Sequence, residues 1–179
     1  MQLDRIASLF DENFTTFAEL GASISIWQHG REVLSIGKGF ADRERTVPWT
    51  TETPVLFWSA TKGLAAACVL HACAERMIPL TSRVSEFWPE FAANGKEAVT
   101  IAQLLSHQAG LPVISTPVEV WDYEGVVNAL AAEAPHWPVG EGHGYHARTF
   151  GFLVDELVRR ITGGVTLGHY WREHFGEPL

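Results

Sequence analysis

The sequence predicts an α+β fold in which one helix and a β-hairpin precede a mainly helical region. Three observations predict it. Apolar residues recur every three or four positions over the first 20 residues, strict alternation follows in residues 22–27, and helical patterns fill most of the chain from residue 61 onward. The 46% hydrophobic and 19% charged residues of this 179-residue chain are typical of a globular protein rather than a disordered one.

The N-terminal elements each follow from a local pattern. The first helix is amphipathic, and its apolar face is formed by Leu3, Ile6, Leu9, Phe10, Phe14 and Phe17. Residues 22–27 and 32–37 are predicted to be antiparallel strands joined by a turn at residues 28–31. Residues 41–54 are polar and turn-prone, and the short apolar segment 55–58 follows them.

The rest of the chain is predicted to be helical. The predicted helices are 61–77, 99–106, 123–133, 146–161 and 167–175. The first of these is apolar almost all round, so we expect it in the middle of the fold. Thr100 and Gln103 are expected at the start of the second helix, and Gly163–Gly164 is a C-terminal stop signal for the fourth.

Composition excludes several functional classes. A net charge of −8 without a block of basic residues argues against a nucleic-acid partner. The N-terminus lacks a secretory signal pattern, and no stretch of about 18 apolar residues predicts a membrane span. Cys68 and Cys73, five residues apart on one predicted helix, face different ways and are expected to be free thiols in a reducing compartment. We therefore expect a cytoplasmic location.

Ser59 and Lys62 are the first candidates for chemistry. They lie about one helical turn apart, so both side chains share a face. A neutral lysine amine can take the serine proton if an apolar helix desolvates it, because desolvation lowers a lysine pKa. A serine at a helix N-terminus also gains from the helix dipole, and its backbone N–H can serve as one oxyanion donor. The structural alternative is an N-cap serine followed by a solvated lysine, since this spacing is common by chance.

Three motifs together resemble a known family. They are Phe57 to Gly63 (FWSATKG), Thr100 to Pro112 (TIAQLLSHQAGLP), preceded by WPEF at 88–91, and Gly144 to Gly151 (GYHARTFG). The chain resembles the serine β-lactamase and penicillin-binding-protein superfamily, in its class C-like branch, and within that branch the family VIII carboxylesterases. The resemblance covers nearly the whole chain and implies Ser59 as nucleophile and Lys62 as its partner.

The resemblance also implies a role for Tyr145. In the class C-like branch a Tyr-x-Asn motif supplies a tyrosine that moves the serine proton, and Tyr145 matches that tyrosine. Ala147 stands where the β-lactamases have the asparagine that binds the lactam side-chain amide, which favours a plain ester substrate. Glycines at 140, 142 and 144 would let a loop carry Tyr145 close to the nucleophile.

Other residues are weaker candidates. His107 and Gly110 resemble a structural motif of the family, although a Ser–His mechanism with Lys62 as a bystander is the mechanistic alternative. Trp58, Trp121, Trp137 and His146 are candidates for the substrate pocket, with core packing as the alternative for the tryptophans, and Arg148 also flanks the site.

No metal or cofactor is expected. His136, His143 and His146 have no zinc-ligand spacing, and no carboxylate is placed to complete a site. The glycines of residues 140–144 do not follow a strand, so they are not a dinucleotide loop.

The third motif of the family, a Lys-Thr-Gly or His/Trp-x-Gly triplet on a strand, has no match after Tyr145. We therefore expect one incomplete β-lactamase-like domain over residues 1–179, with a helix and hairpin part at 1–58, a mainly helical part at 59–179 and the C-terminal strands missing. The missing half of the same protein would be its partner, and the chain alone would be weakly active or inactive.

The expected function is a serine hydrolase that cleaves short-chain carboxylic esters through an acyl-enzyme. A β-lactamase, a D-alanyl peptidase or an acyltransferase is the alternative within the superfamily. A non-catalytic fragment with a vestigial site is the alternative of another class.

Overall fold

The computed structural model describes residues 3–179, and it has the predicted α+β composition. The chain forms two compact units, the first ending at Leu56 and the second spanning Phe57–Leu179. The single domain predicted over residues 1–179 stays a prediction. No helix among the described residues is long and apolar enough to cross a membrane.

The first unit holds the predicted helix and hairpin. Helix α1 is Leu3–Thr16, and strands β1 (Gly21–Gln28) and β2 (Arg31–Gly39) pair antiparallel, with Ile24 opposite Ile36. The two turn residues between the strands, His29 and Gly30, have φ values of 50° and 73°, which suit the right-handed twist of a two-residue hairpin. Phe10, 9% exposed, is the one buried apolar residue among those described in this unit, so its core is thin.

The second unit is helical and contains the main core. Its α-helices are α2 (Thr61–Glu75), α3 (Ile101–Leu105), α4 (Tyr123–Ala132), α5 (Thr149–Thr162) and α6 (Leu167–Trp171), which continues as one π-helical turn over Arg172–Gly176. Short 3₁₀ segments lie at Trp58–Ala60, Val84–Glu86 and Pro89–Gly95. The core joins α2 to α5 and α4, and its fully buried members include Val69, Leu130, Leu153 and Leu157.

Helix α2 differs from its prediction in two ways. It ends at Glu75 rather than Met77, because Met77 adopts a left-handed backbone with φ of 54°. It contributes five residues to the core, as its apolar composition predicts, but it is not covered on every side, since Leu64 is 43% and Leu70 is 45% exposed. An apolar helix with no polar face gives no sequence signal for which side lies open.

The boundaries of α3 and α5 can also be compared with their predictions. The predicted cap of α3 is confirmed: the Gln103 N–H donates to Thr100 Oγ1 at 3.2 Å, and the Thr100 N–H donates to Gln103 Oε1 at 3.0 Å. Helix α5 begins at Thr149 rather than at residue 146, which leaves the three preceding residues in a loop. It ends as predicted at Gly163, which has a left-handed φ of 77°.

Candidate active site

Ser59 lies in the 3₁₀ turn that leads into α2. The residue before it, Trp58, has a φ of 48°, a left-handed conformation that costs a non-glycine residue about 1 kcal/mol. Ser59 itself is exposed, so a reactant can reach its hydroxyl from solvent.

Lys62 meets Ser59 one helical turn later. Its Nζ donates to Ser59 Oγ at 3.3 Å and to the backbone carbonyl of Ala147 at 2.8 Å. The Ala147 contact ties α2 to the loop before α5. The side chain is partly buried, but Thr61 and Leu64 beside it are exposed, so the enclosing apolar surroundings expected from the sequence are not present in the described chain.

Tyr145 completes the cluster. Its phenol donates a hydrogen bond to Ser59 Oγ, and Lys62 Nζ lies 4.9 Å from the centre of its ring. The pKa of Tyr145 is lowered, first by its hydrogen bond with Ser59 and then by the hydrogen bond and positive charge of Lys62. Tyr145 is 54% exposed, so the cluster lies open to solvent. The structure thus brings the three predicted catalytic residues together around one serine oxygen.

The loop that carries Tyr145 packs on Trp137. A Cβ atom on Gly144 would lie 2.7 Å from the Trp137 ring, so only glycine fits there. Trp137 also meets the His146 ring edge to face at 5.9 Å. This places Trp137 behind the tyrosine loop, as a support rather than an open pocket wall.

His146 is also part of this support. It is 1% exposed, and its Nε2 accepts the Leu111 N–H at 2.9 Å while its Nδ1 donates to the Gly144 carbonyl at 2.6 Å. Burial lowers the pKa of His146 and favours this neutral, doubly bonded ring. The structure therefore places His146 in the scaffold instead of on the surface of the pocket.

The predicted structural motif, His107 and Gly110, lies beside the same loop. The His107 ring packs at 5.3 Å from Tyr145 and 4.8 Å from Phe150. Gly110 has a φ of 75°, and a Cβ atom there would lie 2.8 Å from Pro135. The Gly110 carbonyl accepts the His136 N–H at 2.8 Å, which holds the segment before Trp137.

The other candidate tryptophans are exposed, and no hydrogen bond joins them to Ser59, Lys62 or Tyr145 among the described residues. Trp58 is 82% and Trp121 is 79% exposed. His136, considered as a metal ligand, instead faces Glu133, with Nε2 and Oε1 3.3 Å apart.

An apolar hollow beside the site was missed by sequence reasoning. It has a volume of about 450 Å³ and lies between the segment of residues 112–120 and the start of α5. Its lining includes Val113, Ile114, Val118, Ala147 and Phe152. Ala147 connects the hollow to the cluster, because its carbonyl binds Lys62. The apolar, proline-bearing run after Gly110 is the signal that could have indicated it.

Comparison with known proteins gives this arrangement a context. The esterase/β-lactamase LipL of Mycobacterium tuberculosis is 37% identical over 162 residues, which cover 89% of this chain and 37% of LipL. The esterase EstB of Burkholderia gladioli is 33% identical over 161 residues, 88% of this chain and 37% of EstB. The chain thus spans well under half the length of either relative.

Solved structures agree in fold. A penicillin-binding protein homologue from Caulobacter crescentus superposes with a TM-score of 0.88 at 38% identity, over 97% of this chain and 47% of that protein. A family VIII carboxylesterase superposes with a TM-score of 0.85 at 40% identity, over 95% of this chain and 47% of the carboxylesterase. The family model described as Beta-lactamase matches residues 10–179. The chain belongs to the β-lactamase family.

Proposed function

We propose that this chain carries the nucleophile of a serine hydrolase that cleaves short-chain carboxylic esters through an acyl-enzyme on Ser59. The observation that carries the proposal is the convergence of the Tyr145 phenol and the Lys62 ammonium on Ser59 Oγ. A serine is a weak nucleophile unless a neighbouring group takes its proton, and the ionised form of Tyr145, which the positive charge of Lys62 favours, can take it.

The proton path follows from the contacts. Lys62 and Ser59 favour the ionised form of Tyr145, so the phenolate can accept the Ser59 proton as Oγ attacks the ester carbonyl. The bond to the alcohol breaks as Tyr145 returns that proton to the leaving oxygen. Water then attacks the acyl-enzyme, giving its proton to the same tyrosine and releasing the acid, and Ser59 regains its hydrogen.

Esters are favoured over lactams at this site. Ala147 offers a methyl group where a lactam side-chain amide would need a hydrogen-bonding partner, and it opens into the apolar hollow. Unpaired amide groups are costly to bury, whereas an acyl chain gains from the same surface. The names of LipL, EstB and the family VIII carboxylesterase point to the same substrate class for relatives.

Labelling with a fluorophosphonate probe tests the nucleophile, because it requires only attack by the serine. We expect the chain to be labelled once, Ser59→Ala to abolish labelling, and Tyr145→Phe to slow it by about 10²-fold, as loss of a proton-transfer group does. The exposed Ser35 provides a matched control, Ser35→Ala, which should be labelled at the original rate. Labelling that persists in Ser59→Ala would refute the proposal, and no labelling of the original chain would favour a vestigial site.

Turnover assays separate the substrates. We expect p-nitrophenyl butyrate hydrolysis to exceed nitrocefin hydrolysis. Nitrocefin turnover that exceeds ester turnover and disappears in Ser59→Ala would instead favour the β-lactamase alternative, which the name of LipL includes.

A further inference from the structure

Tyr145 meets a single oxygen of Ser59 although the residue is 54% exposed. An exposed side chain is held only if the backbone that carries it is fixed, since free rotamers cost entropy to order. The residues that fix the 144–146 backbone therefore decide whether the phenol reaches the serine.

Two of the contacts to that backbone come from one residue. The backbone carbonyl of His107 accepts the Gly144 N–H at 3.2 Å, and its ring Nδ1 accepts the His146 N–H at 3.2 Å. The ring also packs against Tyr145 with centroids 5.3 Å apart and planes at 64°. His107 thus forms hydrogen bonds with the residues on both sides of Tyr145 and packs against Tyr145 itself.

His107 is itself held in an uncommon conformation. Its φ is 60°, in the left-handed region that histidine and asparagine adopt more readily than most residues. It follows the capped helix α3, and Phe150 of α5 packs on its ring at 4.8 Å. This backbone turn is what aims both the carbonyl and Nδ1 at the tyrosine loop.

We propose that His107 is a positioning residue for Tyr145, acting through a neutral ring whose unprotonated Nδ1 accepts the His146 N–H. It does not touch the reacting atoms, and its importance for turnover rests on the function proposed above. In a protonated ring Nδ1 carries a hydrogen and can no longer accept the His146 N–H. The two N–H groups would then repel each other and the loop would be released.

The surroundings of His107 favour the neutral ring. Burial lowers its pKa, and the positive charges of Lys62 on α2 and of His143 when protonated lower it further. Tyr145 and His146 are the other titratable groups in contact with the ring. We therefore expect the loop to be released only below the ordinary histidine pKa of about 6.5.

Three substitutions separate this role from general packing. His107→Asn keeps an acceptor at the Nδ1 position, tolerates the left-handed backbone and does not titrate. His107→Gln is polar but places its oxygen where Nε2 was, and His107→Leu keeps bulk without any acceptor. Folding of each is checked by circular dichroism and urea unfolding.

The first readout does not need activity. Absorbance at 295 nm follows ionisation of the three tyrosines, and Tyr145→Phe identifies the first to titrate. We expect His107→Gln and His107→Leu to raise the Tyr145 pKa toward the ordinary value of about 10, because the phenol leaves Ser59 and Lys62, and His107→Asn to keep it low.

The second readout is the fluorophosphonate labelling rate. We expect a loss of about 10²-fold in the Gln and Leu variants, the scale of a displacement of about 1 Å, and recovery to within about threefold in the Asn variant. At acidic pH, where protonation of His107 breaks its contact with the His146 N–H, the Asn variant should not show the loss of labelling rate that this break causes in the original chain.

The outcomes divide cleanly. An unchanged Tyr145 pKa in folded Gln or Leu variants overturns the positioning role, and so does an Asn variant that behaves like Leu. If Leu does not fold, the comparison of Asn with Gln decides. A third outcome separates the two proposals. If the Tyr145 pKa changes as expected but the fluorophosphonate probe labels no variant and not the original chain, the positioning role stands and the proposed function is refuted.

Discussion

Ser59 and Lys62 are neighbours in sequence, whereas Tyr145 reaches the same oxygen from 86 positions away. The pair could be predicted because one helical turn brings its members together whatever the rest of the fold does. The tyrosine could be identified only through a motif, since nothing in its local sequence distinguishes it from a packing residue. The structure places all three within hydrogen-bonding reach of one another.

The pKa of Tyr145 provides a residue-scale prediction. Its hydrogen bond with Ser59 is the largest cause of the lowered pKa, ahead of Lys62. We therefore expect Ser59→Ala and Lys62→Met each to raise the Tyr145 pKa, both seen as a later first step in the 295 nm titration. The exposed Ser35→Ala variant should titrate like the original chain. A Ser59→Ala variant with the original Tyr145 pKa would mean that the phenol and the serine are not in contact.

Several residue roles could not be read from the sequence. Burial and hydrogen bonds decide the role of His146, and no periodic pattern indicates that its ring bridges Leu111 and Gly144. Trp137 was equally uncertain, because a tryptophan in a loop is consistent with both a pocket wall and a support. Its contact with Gly144 shows the second role.

At the scale of elements, local sequence signals predicted whether a segment is a helix or a strand better than they predicted where it begins and ends. The capping box of α3 and the glycine stop of α5 have short-range causes, and both are confirmed. Helix α5 begins three residues later than predicted, because His146 binds His107 and the Ala147 carbonyl binds Lys62, which hold these residues outside the helix. Tertiary contacts of this kind override helix propensity.

The apolar hollow supports a prediction about acyl-chain length. Val113 is 53% exposed and lines the open side of the hollow, so Val113→Trp should fill it without disturbing the core. Each buried methylene contributes about 0.8 kcal/mol, so loss of room for two should reduce the preference for p-nitrophenyl octanoate over acetate by about 10-fold.

The control for this substitution is Val47→Trp. Val47 has the same 53% exposure and lies in the first unit, outside the lining of the hollow. Its substitution should leave the chain-length preference unchanged. An equal preference in Val113→Trp and the original chain would mean that acyl groups bind elsewhere.

At the scale of the whole molecule, burial is uneven. The core of the second unit is extensive, with Cys68, Val69 and Val158 among its completely buried residues. An apolar groove of about 340 Å³ lies between the first turns of α2 and α6, lined in part by Phe57, Leu64, Leu167 and Trp171. Helix identity could be predicted for this region, but which side of a uniformly apolar helix is covered depends on the rest of the fold.

This groove predicts binding of a small apolar dye. Open apolar surface of this kind binds 8-anilinonaphthalene-1-sulfonate, so we expect a blue-shifted fluorescence increase with the folded chain. Leu64→Glu and Trp171→Glu place charges in the groove and should each reduce that signal severalfold, because Leu64 is 43% and Trp171 is 38% exposed and neither belongs to the buried core. Met77→Asn is the matched control, since Met77 is 89% exposed outside the groove and asparagine tolerates its left-handed backbone. Urea unfolding checks that each variant is folded. Equal fluorescence in all three folded variants would show that the dye binds elsewhere and that the groove beside Leu64 is not the open apolar surface of the second unit.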